Sequence, residues 1–214
     1  MLKERLLSLL YPPDVCCAVC GREAVLRESL CEECEKQLMA SPARAIPPGL
    51  SAYMAVWCYE EPLRGTIWRF KYNNMPYLAD FLSSKMRPPE DWGITEIVPV
   101  PLYSKKQAKR GYNQSALLAR RIGARSALSV HEELLLRIKD TQTQTELSEA
   151  QRRENLKDAF FAPQSCEGKT ILLIDDVCTT GSTLSACAAE LLRAGAKRVC
   201  GMTAAATSLR TPLQ

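Results

Sequence analysis

The chain has 214 residues, enough for one α/β core and a small appendage and too few for several large domains. Hydrophobic residues at 46% and charged residues at 24% belong to a folded globular protein and exclude both a disordered chain and a disulfide-dense miniature scaffold. A net charge of +4 and a pI near 8.5 are too mild to mark a nucleic-acid binder by themselves, so the distribution of charge matters more than its sum.

The first eleven residues, Met1 to Tyr11, are partly apolar, but Lys3, Glu4 and Arg5 interrupt them and no small-residue cleavage site follows. The stretch is too short to span a bilayer and reads as a short amphipathic helix, which leads us to expect a cytoplasmic protein without a membrane span. Cys17-Ala-Val-Cys20 and Cys31-Glu-Glu-Cys34 then form two C-x-x-C pairs separated by ten residues. Each pair bends into a knuckle presenting two thiolates, and two knuckles complete a tetrahedral zinc site. Gly21, directly after Cys20, suits the tight turn a knuckle needs. Cys16 is an alternative to Cys17, but it would break the symmetry of the pairs, and redox dithiols are the competing use of such spacing. A closed four-cysteine site keeps no open position for substrate, so the expected zinc is structural and supports a ribbon module over residues 1–45.

Pro42, Pro47, Pro48 and Gly49 read as a linker to a second domain over 50–214. The pattern predicts a strand over 52–59 and a helix over 63–72 with Leu63, Ile67 and Phe70 inward and Arg64, Arg69 and Lys71 on a solvated face. A short apolar strand over 97–101 must stop at Pro99 and Pro101, which lack the N–H a sheet ladder needs. It delivers Lys105, Lys106 and Arg110 to a basic loop suited to a diphosphate, before a helix over 114–125 with Leu118, Ala119 and Ile122 inward. From Ile97 to His131 there is no acidic residue and there are seven positive charges, the signature of a solvated face or of a surface for a polyanion backbone. Tyr103 and Tyr112 are the stacking candidates near that block. Residues 137–156, weak in apolar residues, suggest a mobile cover with Arg137, Lys139 and Arg152 as anion contacts, or a surface loop without a role.

The most informative stretch is Ile171-Leu-Leu-Ile-Asp-Asp-Val-Cys-Thr-Thr-Gly-Ser-Thr-Leu184. Four uninterrupted apolar residues predict a strand covered on both faces, at the centre of a parallel sheet. Asp175 and Asp176 follow at its carboxyl end, where open α/β sheets bind ligands. Thr179, Thr180, Gly181, Ser182 and Thr183 come next, before a helix carrying Leu184, Cys187, Ala188, Leu191 and Leu192 on one stripe. A loop entering a helix points free N–H groups and the positive end of the dipole outward, which favours phosphate. A solvated turn with a plain helix cap is the bland alternative. A P-loop is excluded because no G-x-x-x-x-G-K-[ST] occurs, and a receiver-like fold because too little chain follows the acidic pair. Cys178 reads as packing, since no histidine lies nearby in sequence to activate it. Gly195 and the apolar run 199–206 predict a helix end and a closing strand.

The acidic pair and hydroxyl loop resemble the ribose-phosphate signature of type I phosphoribosyltransferases. The resemblance implies that Asp175 and Asp176 hold the ribose hydroxyls of phosphoribosyl pyrophosphate directly or through magnesium, and that Thr179 to Thr183 hold its 5-phosphate. In one order the chain also carries the four-cysteine ribbon, F70-K-Y72, V98-P-V-P-L102, K105-K106, R110-G-Y-N-Q114, R137-x-K-x-T-x-x-Q144 and R152-x-x-N155. Together these resemble the ComF/GntX family over nearly the whole chain. That resemblance implies a zinc ribbon fused to an α/β phosphoribosyltransferase-like domain in a bacterial cytoplasmic protein, acting in natural competence. Single-stranded DNA, a helicase and DNA-processing proteins are the partners it implies. A nucleobase salvage or biosynthetic transferase, and a non-catalytic single-stranded DNA binder on the same scaffold, are the alternatives.

Overall fold

The computed structural model describes residues 15–140, 156 and 158–207; the expected N-terminal helix and Arg152 lie outside them. In chain order the elements are α1 (Glu32–Gln37), β1 (Ala52–Cys58), α2 (Leu63–Tyr72), α3 (Leu78–Ser84), β2 (Glu96–Pro99), α4 (Ser104–Arg110), α5 (Gln114–Ser126), β3 (Ser129–Val130), β4 (Leu136–Arg137), β5 (Phe160–Phe161), β6 (Thr170–Cys178), α6 (Ser182–Arg193) and β7 (Arg198–Ala206).

Five strands form one parallel sheet in the order β1-β7-β6-β2-β3, and β4 and β5 make a separate antiparallel pair. Ile171, Leu172, Leu173 and Ile174 of β6 are fully buried, as their unbroken apolar run requires. Their alternation divides the core. Leu172 and Ile174 join Leu63, Ile67 and Phe70 of α2, Phe81 and Leu82 of α3, and Leu118 and Ile122 of α5. Ile171 and Leu173 pack instead with Leu184, Cys187, Ala188 and Leu191 of α6 and with Phe160 of β5. Helices on both faces of a parallel sheet make this an α/β fold.

The connections fix where a ligand can sit. β2 runs on through α5 to β3 at one edge, whereas β6 runs on through α6 to β7 on the other side. The chain therefore diverges in opposite directions beyond the carboxyl ends of two neighbouring strands, and a crevice opens there. Pro99 of β2 pairs with Ile174 of β6, so the loop after β2 emerges beside Asp175.

Several details differ from the sequence expectations. The stretch expected as a basic loop is the helix α4, which has no buried residue and ends at Gly111 in the left-handed region (φ 85°). The strand carrying the acidic pair continues through Asp175 and Asp176 to Cys178, because β7 keeps pairing with it as far as Ala206. Leu192 is 38% exposed, since α6 buries only the narrower stripe through Leu191. The proline-rich connection is tied down at both ends. Residues 39–41 pair with the free edge of β1, through Cys58 N–H to Met39 O at 2.8 Å and Ser41 N–H to Val56 O at 2.9 Å. This covers an edge that would otherwise present unpaired backbone.

Candidate functional site

Successive side chains of a strand project to opposite faces, so Asp175 and Asp176 leave β6 in different directions. Asp176, 6% exposed, points to the α2 side, where Lys71 Nζ meets its Oδ1 at 2.9 Å. Asp175 accepts the Ser115 hydroxyl at 2.8 Å and the Asp176 N–H at 2.9 Å. Burial pushes the Asp175 carboxyl up, the neighbouring Asp176 charge pushes it further, and Lys71 and Ser115 pull it back, leaving it at about 7. The pair is thus one carboxyl group bonded to Lys71 and one that exchanges its proton near neutrality.

Beyond Cys178 the chain turns at Gly181, the residue preceding α6, which lies in the left-handed region (φ 83°). A Cβ there would stand 2.9 Å from Pro47 Cγ, so only glycine fits both the backbone and the space. The Thr180 and Ser182 hydroxyls lie 2.9 Å apart. Arg44 donates to the Cys178 carbonyl at 3.0 Å and to the Thr179 carbonyl at 2.8 Å, and Thr207 N–H donates to Cys178 O at 3.1 Å. The loop is therefore held from behind by its carbonyls and borders an open hollow of about 240 Å³, lined by Asp175 and by Val177 through Leu184. Gly181, at the N-cap, has no side chain to cap α6; the Thr180 hydroxyl accepts the Ser182 N–H at 3.4 Å, and the positive end of the helix faces the loop. Cys178 is buried, with its thiol pushed up by that burial, in keeping with a packing role.

The other expected site residues are placed as follows. Arg110 donates to Gln114 Oε1 at 2.7 Å, and its guanidinium lies 4.9 Å from the centroid of the Tyr72 ring. Gln114 is followed in α5 by Ser115, whose hydroxyl bonds Asp175, so the Arg110 partner and the Asp175 partner are successive residues of one helix. Lys106 stands 3.4 Å from Asp140, and Lys105 is exposed on α4. Arg137, half-buried, has its guanidinium 5.5 Å from the Phe160 ring centroid and lies within electrostatic reach of Asp175. Lys139 pairs with Asp158 at 3.7 Å.

Two residues assigned to a solvated face prove otherwise. Lys71 is on Asp176, and Arg69 donates to the Ala18 carbonyl at 3.0 Å and to the Val19 carbonyl of the cysteine module. Helical spacing carried the signal for Lys71, because Leu63, Ile67 and Lys71 are four apart and share one stripe. Arg44 and Ser115 had no comparable signal, since each acts through a contact across the chain. The basic block is also less uniform than its composition: Arg120 pairs with Glu132, Arg121 with Asp80, and Arg125 donates to the Ser83 carbonyl at 2.6 Å.

The cysteine module meets the requirements of a metal. The Sγ atoms of Cys17, Cys20, Cys31 and Cys34 all lie within 4.8 Å of one another, and Cys16 is not among them. Cys20 Sγ and Cys31 Sγ are 3.8 Å apart. A tetrahedron of sulfurs about 2.3 Å from zinc has edges of about 3.8 Å, so the spacing fits. Gly21 adopts the left-handed conformation (φ 73°) that the first knuckle needs. Burial raises the Cys20 thiol, but hydrogen bonds from Arg22 and from the Cys17 and Cys34 thiols together outweigh it and bring the thiol down to about 6. Among the described residues no other group of three or more potential ligands assembles.

Comparison with known proteins agrees with this geometry. Residues 110–209, which include the acidic pair and the hydroxyl loop, match the model of the phosphoribosyl transferase domain. The chain is 32% identical over 196 residues to the DNA utilization protein YhgH of Escherichia coli O157:H7, covering 86% of each chain. It is 31% identical over 199 residues to Competence protein F of Haemophilus influenzae, covering 86% of this chain and 81% of that one. The chain belongs to the ComF/GntX family. Competence protein ComFC of Bacillus subtilis is 30% identical to it over 186 residues, covering 84% of this chain and 72% of the relative. In this ComF-family chain a four-cysteine cluster able to hold a metal and a phosphoribosyl transferase domain therefore occur together. Among the described residues no helix is long and apolar enough to cross a membrane.

Proposed function

We propose that this ComF-family protein binds phosphoribosyl pyrophosphate with Mg²⁺ and acts in the cytoplasm in the uptake and handling of single-stranded DNA during natural transformation. The observation that carries the reading is the hollow at the carboxyl end of β6 lined by Asp175 and the Thr179–Thr183 loop, with Asp176 the next residue of the same strand. The loop amides and hydroxyls receive the 5-phosphate, and the carboxylates receive the ribose hydroxyls. Lys105, Lys106 and Arg110 take the diphosphate, and Arg137, Lys139 and Arg152 close over it. Bound Mg²⁺ supplies charge to a departing diphosphate, while the carboxylates offset positive charge on the sugar. The four cysteines hold a structural Zn²⁺. The names of the relatives support the competence setting, and a helicase and a DNA-processing protein are the partners we propose from it.

Isothermal titration with phosphoribosyl pyrophosphate and Mg²⁺ tests the site. The wild type is expected to give a saturable heat, and the isosteric Asp175→Asn/Asp176→Asn variant to lose it. Identical heats from the two proteins would remove the site.

Direct binding of single-stranded DNA is a second reading favoured by one observation. Trp68 and Tyr72 are 53% and 57% exposed, their rings are 5.8 Å apart, and Arg110 lies over Tyr72. Exposed aromatics beside a guanidinium suit unpaired bases, which stack with about 1–3 kcal/mol per base. Of the stacking candidates Tyr103 and Tyr112, Tyr112 is engaged inward, its hydroxyl donating to the Phe70 carbonyl and its ring packing on Phe70. Filter binding across a salt series should show affinity falling steeply with salt and weakening at least fivefold in Trp68→Ala/Tyr72→Ala. A flat salt response would exclude backbone binding.

A further inference from the structure

Lys71 and Asp176 form the most shielded ion pair among the described residues, with side-chain exposures of 23% and 8%. Removing two charges from water costs more than their attraction returns unless other bonds complete both groups, so stability alone does not explain such a pair. Its position does. A divalent cation shared by the acidic pair needs the Asp176 carboxylate, and a tethered ammonium already sits 2.9 Å from its Oδ1. Asp175 Oδ1 already accepts the Ser115 hydroxyl and the Asp176 N–H, which leaves Asp175 Oδ2 and the Asp176 carboxylate as the oxygens a shared metal would take.

A cation that displaces Lys71 leaves a desolvated ammonium without a counter-ion. Nothing on α2 can relieve it by moving away. Arg69, two residues earlier, is bonded to the Ala18 carbonyl of the cysteine module, and the Tyr112 hydroxyl is bonded to the Phe70 carbonyl. These bonds hold the end of α2, whereas the Lys71 stem keeps rotatable bonds of its own. An anion arriving together with the metal would receive it.

We propose that Lys71 is a tethered competitor for the divalent cation, so that metal and sugar diphosphate bind jointly and each binds poorly alone. This rests on the reading of the site as one for phosphoribosyl pyrophosphate. It makes Lys71 a residue that couples two ligands, and the coupling is reciprocal by linkage.

The test uses the full chain and Mn²⁺, followed by electron paramagnetic resonance of the free ion and corrected for the metal that the sugar diphosphate itself chelates. In the wild type, saturating phosphoribosyl pyrophosphate should tighten Mn²⁺ binding at least tenfold. In Lys71→Gln, Mn²⁺ alone should bind at least tenfold more tightly than to the wild type, and the coupling should shrink. A variant whose Mn²⁺ affinity is unchanged or weaker, measured while the wild type still binds metal and sugar diphosphate together, overturns the inference and leaves the site reading intact. If the wild type takes up no sugar diphosphate at all, the site reading fails and the inference with it.

A second measurement avoids the variant altogether. Acetylation of the Lys71 amine in the wild type, read by mass spectrometry, should quicken at least threefold on adding Mn²⁺ alone and slow again when phosphoribosyl pyrophosphate is also present. A rate indifferent to Mn²⁺ contradicts the proposal.

Discussion

Asp175 carries a proton-linked cost that can be measured without any ligand. Its carboxyl titrates at about 7 in the folded chain against a reference value of 3.8, because burial and the Asp176 charge disfavour ionisation. Between those values the folded state binds more protons than the unfolded state, so this group's contribution to stability is full below 3.8 and is lost as pH rises towards 7. Asp175→Asn should therefore match the wild type in thermal stability near pH 4 and exceed it at pH 8. The comparison is made by thermal melts at both values, and a variant that gains nothing at pH 8 would contradict the assigned environment. Lys71 shows why single residues were partly hidden. Its charge suggested solvent, whereas its place four residues after Ile67 put it on the buried stripe, and here the helical period outweighed residue type.

At the scale of elements, α2 joins the two chemical centres. Its inner stripe of Leu63, Ile67 and Phe70 fills the core, Arg69 holds the first cysteine knuckle by its carbonyls, and Lys71 holds Asp176. Arg69→Ala removes charged hydrogen bonds worth about 1.5–3 kcal/mol each when intact. We expect it to loosen the cysteine module, seen as faster loss of one Zn²⁺ per chain to a chelator. Zinc release at the wild-type rate would mean that the knuckle stands without this contact. The elements themselves were legible wherever one period dominated: α2, α5, β6 and β7 follow the apolar pattern closely. The α4 helix was not, because it buries no residue and so leaves no periodic trace, and its two ends are set by Tyr103 and Gly111. The two-residue strands β4 and β5 are too short for any period to register.

Across the whole molecule, strand order does what no local pattern could announce. The central position of β6 followed from its four fully buried apolar residues, but its pairing with both β7 and β2 is a long-range fact. That pairing places the divergence of the chain beside Asp175. The cysteine module was legible from spacing alone, since two C-x-x-C pairs dictate a four-sulfur cluster. Its attachment was not: Cys17, Val19, Leu30, Cys31 and Cys34 share one buried cluster with α2 and α3, and Arg44 from the same stretch of chain braces the Thr179 loop. The segment that reads as a spacer is therefore part of the wall behind the candidate phosphate site. Diffraction from crystals soaked with phosphoribosyl pyrophosphate and Mg²⁺ tests this account most directly. It should show the 5-phosphate in the Thr179–Thr183 loop, the ribose hydroxyls over Asp175 and Asp176, and the diphosphate within reach of Lys71. An empty loop at saturating ligand, or a sugar phosphate bound elsewhere on the molecule, would contradict it.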